Sequence, residues 1–198
     1  MRLIREWTEL WQLRDINADS AQTLRNLPGL LSIDTRSCRD VSFLPALSQL
    51  QWLRLQIDAK PWVTGEAVAE AMSECRYLTF LELMAPVTSA HLSALLPQLP
   101  LLRTLSLGFC CELDSLRFLS DVPALQHNLR VFVLHHPPPL PSSEIRHVFG
   151  LRSLDTLRLS DLFSEPLDGF TRRLLTPPST VLPTLTAFEC KWVTVAVA

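Results

Sequence analysis

Residues 102–107 read LRTLSL, and the same spacing of leucines, LxxLxL, returns at 50–55 (LQWLRL), 78–83 (LTFLEL) and 154–159 (LDTLRL). Looser copies stand at 28–33 (PGLLSI), 129–134 (LRVFVL) and 185–190 (LTAFEC). The seven starts are separated by 22, 28, 24, 27, 25 and 31 residues. Within each copy the fourth and sixth residues point to one side of a short strand and the fifth points to the other. One such unit cannot bury its own leucines, whereas stacked units share a continuous core. The spacing therefore predicts parallel strands laid side by side, each joined to the next by a return leg over one face.

The return legs carry a different period. In TGEAVAEAMSEC, Val68, Ala71, Met72 and Cys75 fall at i, i+3, i+4 and i+7 behind Thr64 as N-cap, which predicts a helix. SAHLSALLPQL repeats this with Leu92, Leu95, Leu96 and Leu99, and Pro97 is expected to shorten its end. SSEIRHVFG offers Ile145, Val148 and Phe149, with Gly150 as a C-terminal stop. The legs around 38–47 and 111–122 are less helical and are expected to hold a turn or two.

Motif and period together resemble the leucine-rich-repeat family over nearly the whole chain, and the longer, helical units look more like its ribonuclease-inhibitor and cysteine-containing subclasses. The resemblance implies an α/β solenoid of horseshoe shape, with a parallel β-sheet on the concave face and helices and turns on the convex face. Residues 28–191 then hold about seven repeats. Residues 1–27 form an N-terminal helical cap, in which Leu3, Ile4, Trp7, Leu10 and Trp11 share one face, or a degenerate first repeat with a strand around Trp11–Leu13. Residues 192–198, where Val193, Val195 and Val197 alternate, form a closing strand, an edge for a partner, or the cut end of a longer array.

The adjacent Cys110 and Cys111 pose the question of chemistry. Counting from the first leucine, Cys110 stands at position 9, where the family carries Asn or Cys turned inward to tie neighbouring loops together. Cys190 falls at position 6, a core site. The remaining units carry Arg36, Asp58, Pro86, Pro137 and Leu162 at position 9, so the chain reads as a divergent member. A zinc site from Cys110, Cys111, His135 and His136 is disfavoured, because adjacent strand residues face opposite ways and no CxxC or HxxxH spacing is present. A nucleophilic set from Ser106, His135, Ser160 and Asp161 lacks a GxSxG elbow and an oxyanion loop. PPPLP within HHPPPLPSS (135–143) resembles a WW-domain ligand, although it joins two repeat elements and reads equally as a rigid link; Ser142 and Ser143 beside it are conceivable phosphorylation sites.

Composition narrows the classes. With 198 residues, 47% hydrophobic and 19% charged, the chain is expected to form one packed domain. Glycine is scarce at 5 residues, and neither GxGxxG nor GxxxxGK[ST] occurs. A net charge of −2 gives no electrostatic case for nucleic acid or an anionic membrane. MRLIREWTELWQLRDI is a poor signal peptide, and no stretch has the run of about 18 apolar residues that a membrane span needs. Five cysteines without an export signal suit a reducing compartment, so a cytoplasmic or nuclear location is expected.

Positions 3, 5 and 7 should line the concave face. Position 3 reads Leu30, Trp52, Phe80, Thr104, Val131, Thr156 and Ala187; position 5 reads Ser32, Arg54, Glu82, Ser106, Val133, Arg158 and Glu189. Position 7 reads Asp34, Gln56, Met84, Gly108, His135, Ser160 and Lys191. Aromatic residues beside arginine are the make-up of protein-binding hot spots. The expected function is a non-catalytic interaction scaffold, monomeric or within a hetero-complex, with no cofactor. Its partner-binding residues are Trp52, Arg54, Phe80, Glu82, Met84, Val133, His135 and Arg158. The family resemblance also implies a second role, the substrate receptor of a ubiquitin ligase. Repeats beginning by residue 28 leave no room for a preceding F-box, so that role requires a longer chain or a separate adaptor. A metal-dependent hydrolase at Cys110, His135 and Asp161 is the alternative of another class.

Overall fold

In the computed structural model, residues 12, 13, 15–57, 63–136, 138, 140–160, 172, 179 and 181–191 are described. Every LxxLxL copy is expressed as a strand: β2 (Ser32–Cys38), β3 (Trp52–Ile57), β4 (Phe80–Met84), β5 (Thr104–Gly108), β6 (Val131–His135), β7 (Thr156–Ser160) and β8 (Ala187–Lys191). A two-residue strand, β1 (Gln12–Leu13), precedes them. All eight lie in chain order in one parallel sheet.

Parallel neighbours require each connection to cross back over the sheet. The legs carry α1 (Ala18–Arg25), α2 (Gly65–Met72), α3 (Ser89–Leu95), α4 (Phe118–Asp121) and α5 (Pro123–Asn128). Leu53, Leu55, Leu81, Leu83, Leu105 and Leu107 are fully buried, and they share one core with Val68, Met72, Leu92 and Leu95 of the helices. Thr64 caps α2 by accepting from the Ala67 N–H, as its sequence predicts. Pro97 ends α3 at Leu95 and converts the following turn, Leu96–Gln98, to 3-10 geometry. The leg after β2 holds only the 3-10 turn Leu44–Ala46, and that after β5 holds two short helices, α4 and α5.

Two expectations are corrected. Ser142–Gly150 is a 3-10 helix rather than an α-helix. Its buried residues Ile145 and Val148, with Leu151 just beyond, are three apart, and a period of three sets them in a single row along the helix. Gly150 is its last residue and has no left-handed backbone, so it acts as no stop signal.

The second correction concerns register. Ser32 stands opposite Trp52 and Asp34 opposite Arg54, so the first unit starts at Leu30, two residues later than PGLLSI suggests. Backbone hydrogen bonds show why this register is unambiguous. The carbonyls of Leu31, Gln51, Thr79, Arg103, Arg130 and Asp155 each accept two N–H groups from the start of the next strand, at 2.7–3.1 Å. Each of these residues is the second of its unit only if the first unit begins at Leu30. Leu30 is accordingly buried in the core rather than on the open face. The shift also places Cys38, not Arg36, at position 9. The N-terminal face Leu3–Trp11, the valines of the C-terminal tail, Asp58, Pro137, Pro139, Asp161 and Leu162 lie outside the described residues.

Glycine substitutions test this packing. A Cβ on Gly65 would collide with the Pro86 carbonyl oxygen and come within 2.6 Å of His91 Nδ1. Gly65→Ala is expected to destabilise the protein by about 1–3 kcal/mol. At Gly29 nothing lies within 4 Å of where a Cβ would stand, and φ is not positive, so Gly29→Ala should stabilise by about 0.4–1 kcal/mol. Urea unfolding midpoints of the two variants should therefore move in opposite directions.

Candidate functional site

The residues between the buried leucines form a face of the sheet opposite the helices. Its third-position row runs Ser32, Trp52, Phe80, Thr104, Val131, Thr156, Ala187, and its fifth-position row Asp34, Arg54, Glu82, Ser106, Val133, Arg158, Glu189. Trp52 and Phe80, both half-buried, stack with ring centroids 4.7 Å apart and planes 12° from parallel. The Arg54 guanidinium carbon lies 5.7 Å from the Trp52 centroid.

Arg54 is held from both sides. Its Nε donates to Glu82 Oε2 at 2.7 Å, and its Nη1 stands 3.5 Å from Asp34 Oδ2. The hydrogen bond to Glu82 raises the guanidinium above its ordinary pKa, against the opposing push of partial burial. The Asp34 side chain is 6% exposed, and its Oδ1 is buried without a hydrogen-bond partner among the described residues. Arg158 and Glu189 form a looser pair at 3.6 Å, with both side chains about half exposed. Such a solvated pair contributes little to stability.

Trp52, Arg54, Phe80, Glu82 and Met84 adjoin one another on β3 and β4. His135 and Arg158 lie on β6 and β7, separated from them by the small residues Thr104, Ser106 and Gly108 of β5. Met84 fills the space above Gly108, its Cγ 3.3 Å from where a Cβ would stand. Burial, and next the charge of His136, push the His135 imidazole below its ordinary value. Val133 is corrected as a surface residue: it is only 9% exposed. Its side chain lies in the row between Ser106 and Arg158, with Val131 and His135 on the same face of its own strand.

Two features escape a reading of the sequence. Asp34 is one, a consequence of the misplaced first unit. The other is Phe109, 63% exposed, with φ of 50° in the left-handed region. It stacks on His136 (φ 48°) at 4.9 Å. Both occupy position 8 of their units, so reading that position beside positions 3, 5 and 7 exposes the pair.

The adjacent cysteines face opposite ways. Cys110 is fully buried, with Sγ 3.7 Å from the Leu83 carbonyl of the neighbouring strand and 3.5 Å from that of Gly108, while Cys111 is exposed. Cys38, in the equivalent position, is also fully buried. Among the described residues no group of three or more His, Cys, Asp or Glu side chains is placed to hold a metal ion. Ser106 is 9% exposed and Ser160 is paired with His135 only as a strand neighbour.

A serine–histidine–glutamate sequence of contacts does occur on the helix side: Ser120 Oγ is 2.9 Å from His147 Nδ1, and His147 Nε2 is 3.8 Å from Glu144 Oε2. Glu144 is already committed, however, to the Ser115 hydroxyl (2.5 Å) and the Leu116 N–H (2.9 Å). Burial would raise its pKa, but these hydrogen bonds and His147 hold it below the ordinary carboxylate value. The network joins α4 to the 3-10 helix 142–150 and reads as a structural clasp.

No protein-family profile matches the sequence, and no curated protein resembles it at a significant level. Among the described residues no helix is long and apolar enough to cross a membrane.

Two experiments address this geometry. Arg54→Met leaves the Asp34 carboxylate buried without its cation and is expected to destabilise by about 1–3 kcal/mol, a range that allows for the exposure of Arg54. Adding Asp34→Asn should recover part of that loss, measured as a coupling free energy in a double-mutant cycle. The second concerns thiols. Burial pushes Cys75 up to about 12 and Cys110 up to about 11, from an ordinary value near 9. Above pH 9 the unfolded chain loses protons that the folded one keeps. The stability contributed by the protonated thiols is therefore complete below pH 9 and lost as pH rises through 11 and 12. Urea midpoints should fall between about pH 8 and pH 10.5. At the lower pH a thiol reagent should modify Cys111 quickly and reach Cys75 and Cys110 only on unfolding.

Proposed function

We propose that the chain is a leucine-rich-repeat solenoid and that it acts as a non-catalytic scaffold, holding a partner protein on the concave, helix-free face of its sheet. The repeat assignment draws on the periodic LxxLxL strands, the recurring two-donor carbonyl and the buried cysteines at position 9. The observation that carries the binding function is the Trp52–Phe80 stack beside an arginine restrained by two carboxylates. A flat aromatic platform whose neighbours cannot rearrange loses little conformational freedom on association, and association is then less opposed by ordering. A partner would seat an apolar side chain on the stack. His135, neutral at ordinary pH, and Arg158 would extend the contact across β6 and β7. Buried, protonated thiols suit a reducing compartment, so the cytoplasm or nucleus is the proposed location, with the chain a monomer or one subunit of a hetero-complex.

The test is capture of partners from native lysate by the wild-type chain and by a Trp52→Ala/Arg158→Glu variant whose fold is verified by circular dichroism. A specific partner should be retained by the wild type and bind the variant about 30-fold more weakly or worse. An unchanged set of partners on a folded variant would remove the concave face from consideration. Arg54 is left intact because its loss would confound binding with stability.

A further inference from the structure

At the C-terminal ends of β3, β4 and β5 lies a cleft of about 790 Å³ that shares only Met84 with the open-face site. Its walls are the end of β3 and β4 with Ile57 and Met84, the first turn of α2 with Glu66, and the loop after β5 with Phe109 and Glu112. The volume is within the range of sites that enclose a ligand's side chains or a small molecule.

Three observations converge on what would occupy it. Phe109 is the most exposed large apolar side chain among the described residues, yet its backbone is left-handed, a conformation that disfavours a bulky residue. Burial does not account for a phenylalanine there. One face of its ring is taken by His136, which fixes the ring's orientation and leaves the rest open. Among the described lining residues Glu66 and Glu112 are acidic and none is Lys or Arg; His91 also lines the cleft, with its Nδ1 accepting from the Thr88 N–H. An open aromatic ring, two carboxylates and an apolar floor together form a receptor for a cation on an apolar stem. The ring attracts the cation through its quadrupole, and the carboxylates accept charge-assisted hydrogen bonds.

We propose that this cleft binds a short extended segment of a partner protein, placing one lysine or arginine side chain against Phe109 within reach of Glu66 and Glu112, with a neighbouring apolar residue on Ile57 and Met84. The site is separate from the Trp52–Phe80 platform and does not depend on it.

The test uses the full chain as an immobilised bait for a phage-displayed library of random peptides of about 12 residues. The enriched peptides are then synthesised and titrated by fluorescence polarisation. Enriched sequences should pair Lys or Arg with an adjacent Leu, Ile, Met or Phe. Their affinity should fall about tenfold or more on Glu66→Gln/Glu112→Gln and on Phe109→Gly, and weaken between about 50 and 300 mM salt. It should be unchanged on Trp52→Ala. Phe109→Gly removes the ring while easing the left-handed backbone, so its melting temperature should stay level or rise. A Phe109 that merely supports the fold would lower it. The proposal is overturned if no peptide is enriched over the Phe109→Gly bait, if the enriched peptides lack basic residues, or if binding is lost on Trp52→Ala instead of on the cleft variants.

Discussion

One carbonyl oxygen per unit, at the second residue, accepts two N–H donors from the start of the following strand, and this repeats from Leu31 to Asp155. It satisfies backbone groups at the point where each return leg enters the sheet, where an unpaired donor would be costly. It also fixes register. In a sheet with one buried face, a slip of one residue is forbidden because it would turn the leucines outward. A slip of two residues keeps every side chain on its proper face and changes only its neighbours. The carbonyl pairs remove that remaining freedom, and the columns of fully buried leucines follow from it.

The ion row on the open face is a product of the same constraint. Asp34, Arg54 and Glu82 meet because their strands are in this register; two residues away, Ser32 would face Arg54 and the acidic flank would be lost. Asp34 sits in the row at a cost, since one of its oxygens is buried and lacks a hydrogen-bond partner among the described residues. With both flanks acidic, Arg54 serves first to compensate charges of its own chain. On the proposed reading, what the face would offer a partner is then chiefly the Trp52–Phe80 surface, a rigid shape more than a free charge. Arg158, whose pairing with Glu189 is long at 3.6 Å and solvated, is the more available cation.

The strands are legible because period and leucine spacing report burial directly, and six of the seven units fall where LxxLxL places them. The first unit misleads because its sixth position is threonine. Thr35 is fully buried and turns its hydroxyl to the Ser37 carbonyl, so a polar letter occupies a core site. PGLLSI offers two apolar residues in the right spacing and therefore looks the better match. Segment 142–150 misleads for another reason: the spacing of three between Ile145 and Val148 fits either kind of helix. At the site, the Trp52, Arg54, Phe80 and Glu82 cluster follows from strand alternation. The seclusion of Val133 does not, because alternation fixes which face a side chain occupies and not how far its neighbours cover it.

Phe109 shows how display and scaffold are joined in adjacent residues. Cys110 must enter the core beneath the strand ends, where its thiol lies near the carbonyls of Leu83 and Gly108. The chain reaches that point by turning through a left-handed residue, and glycine would be the easy choice for it. Here the turn residue is phenylalanine, and its equivalent in the next unit is His136, also left-handed. Two neighbouring units thus bear the same backbone strain with aromatic side chains, and those side chains stack on each other outside the core. An inward cysteine does not by itself require that turn: Cys38 is equally buried in the equivalent position, and Ser37 before it is not left-handed. Neither the buried thiol nor the core accounts for the exposed ring, which is the part of Phe109 that the proposed occupant of the cleft would explain.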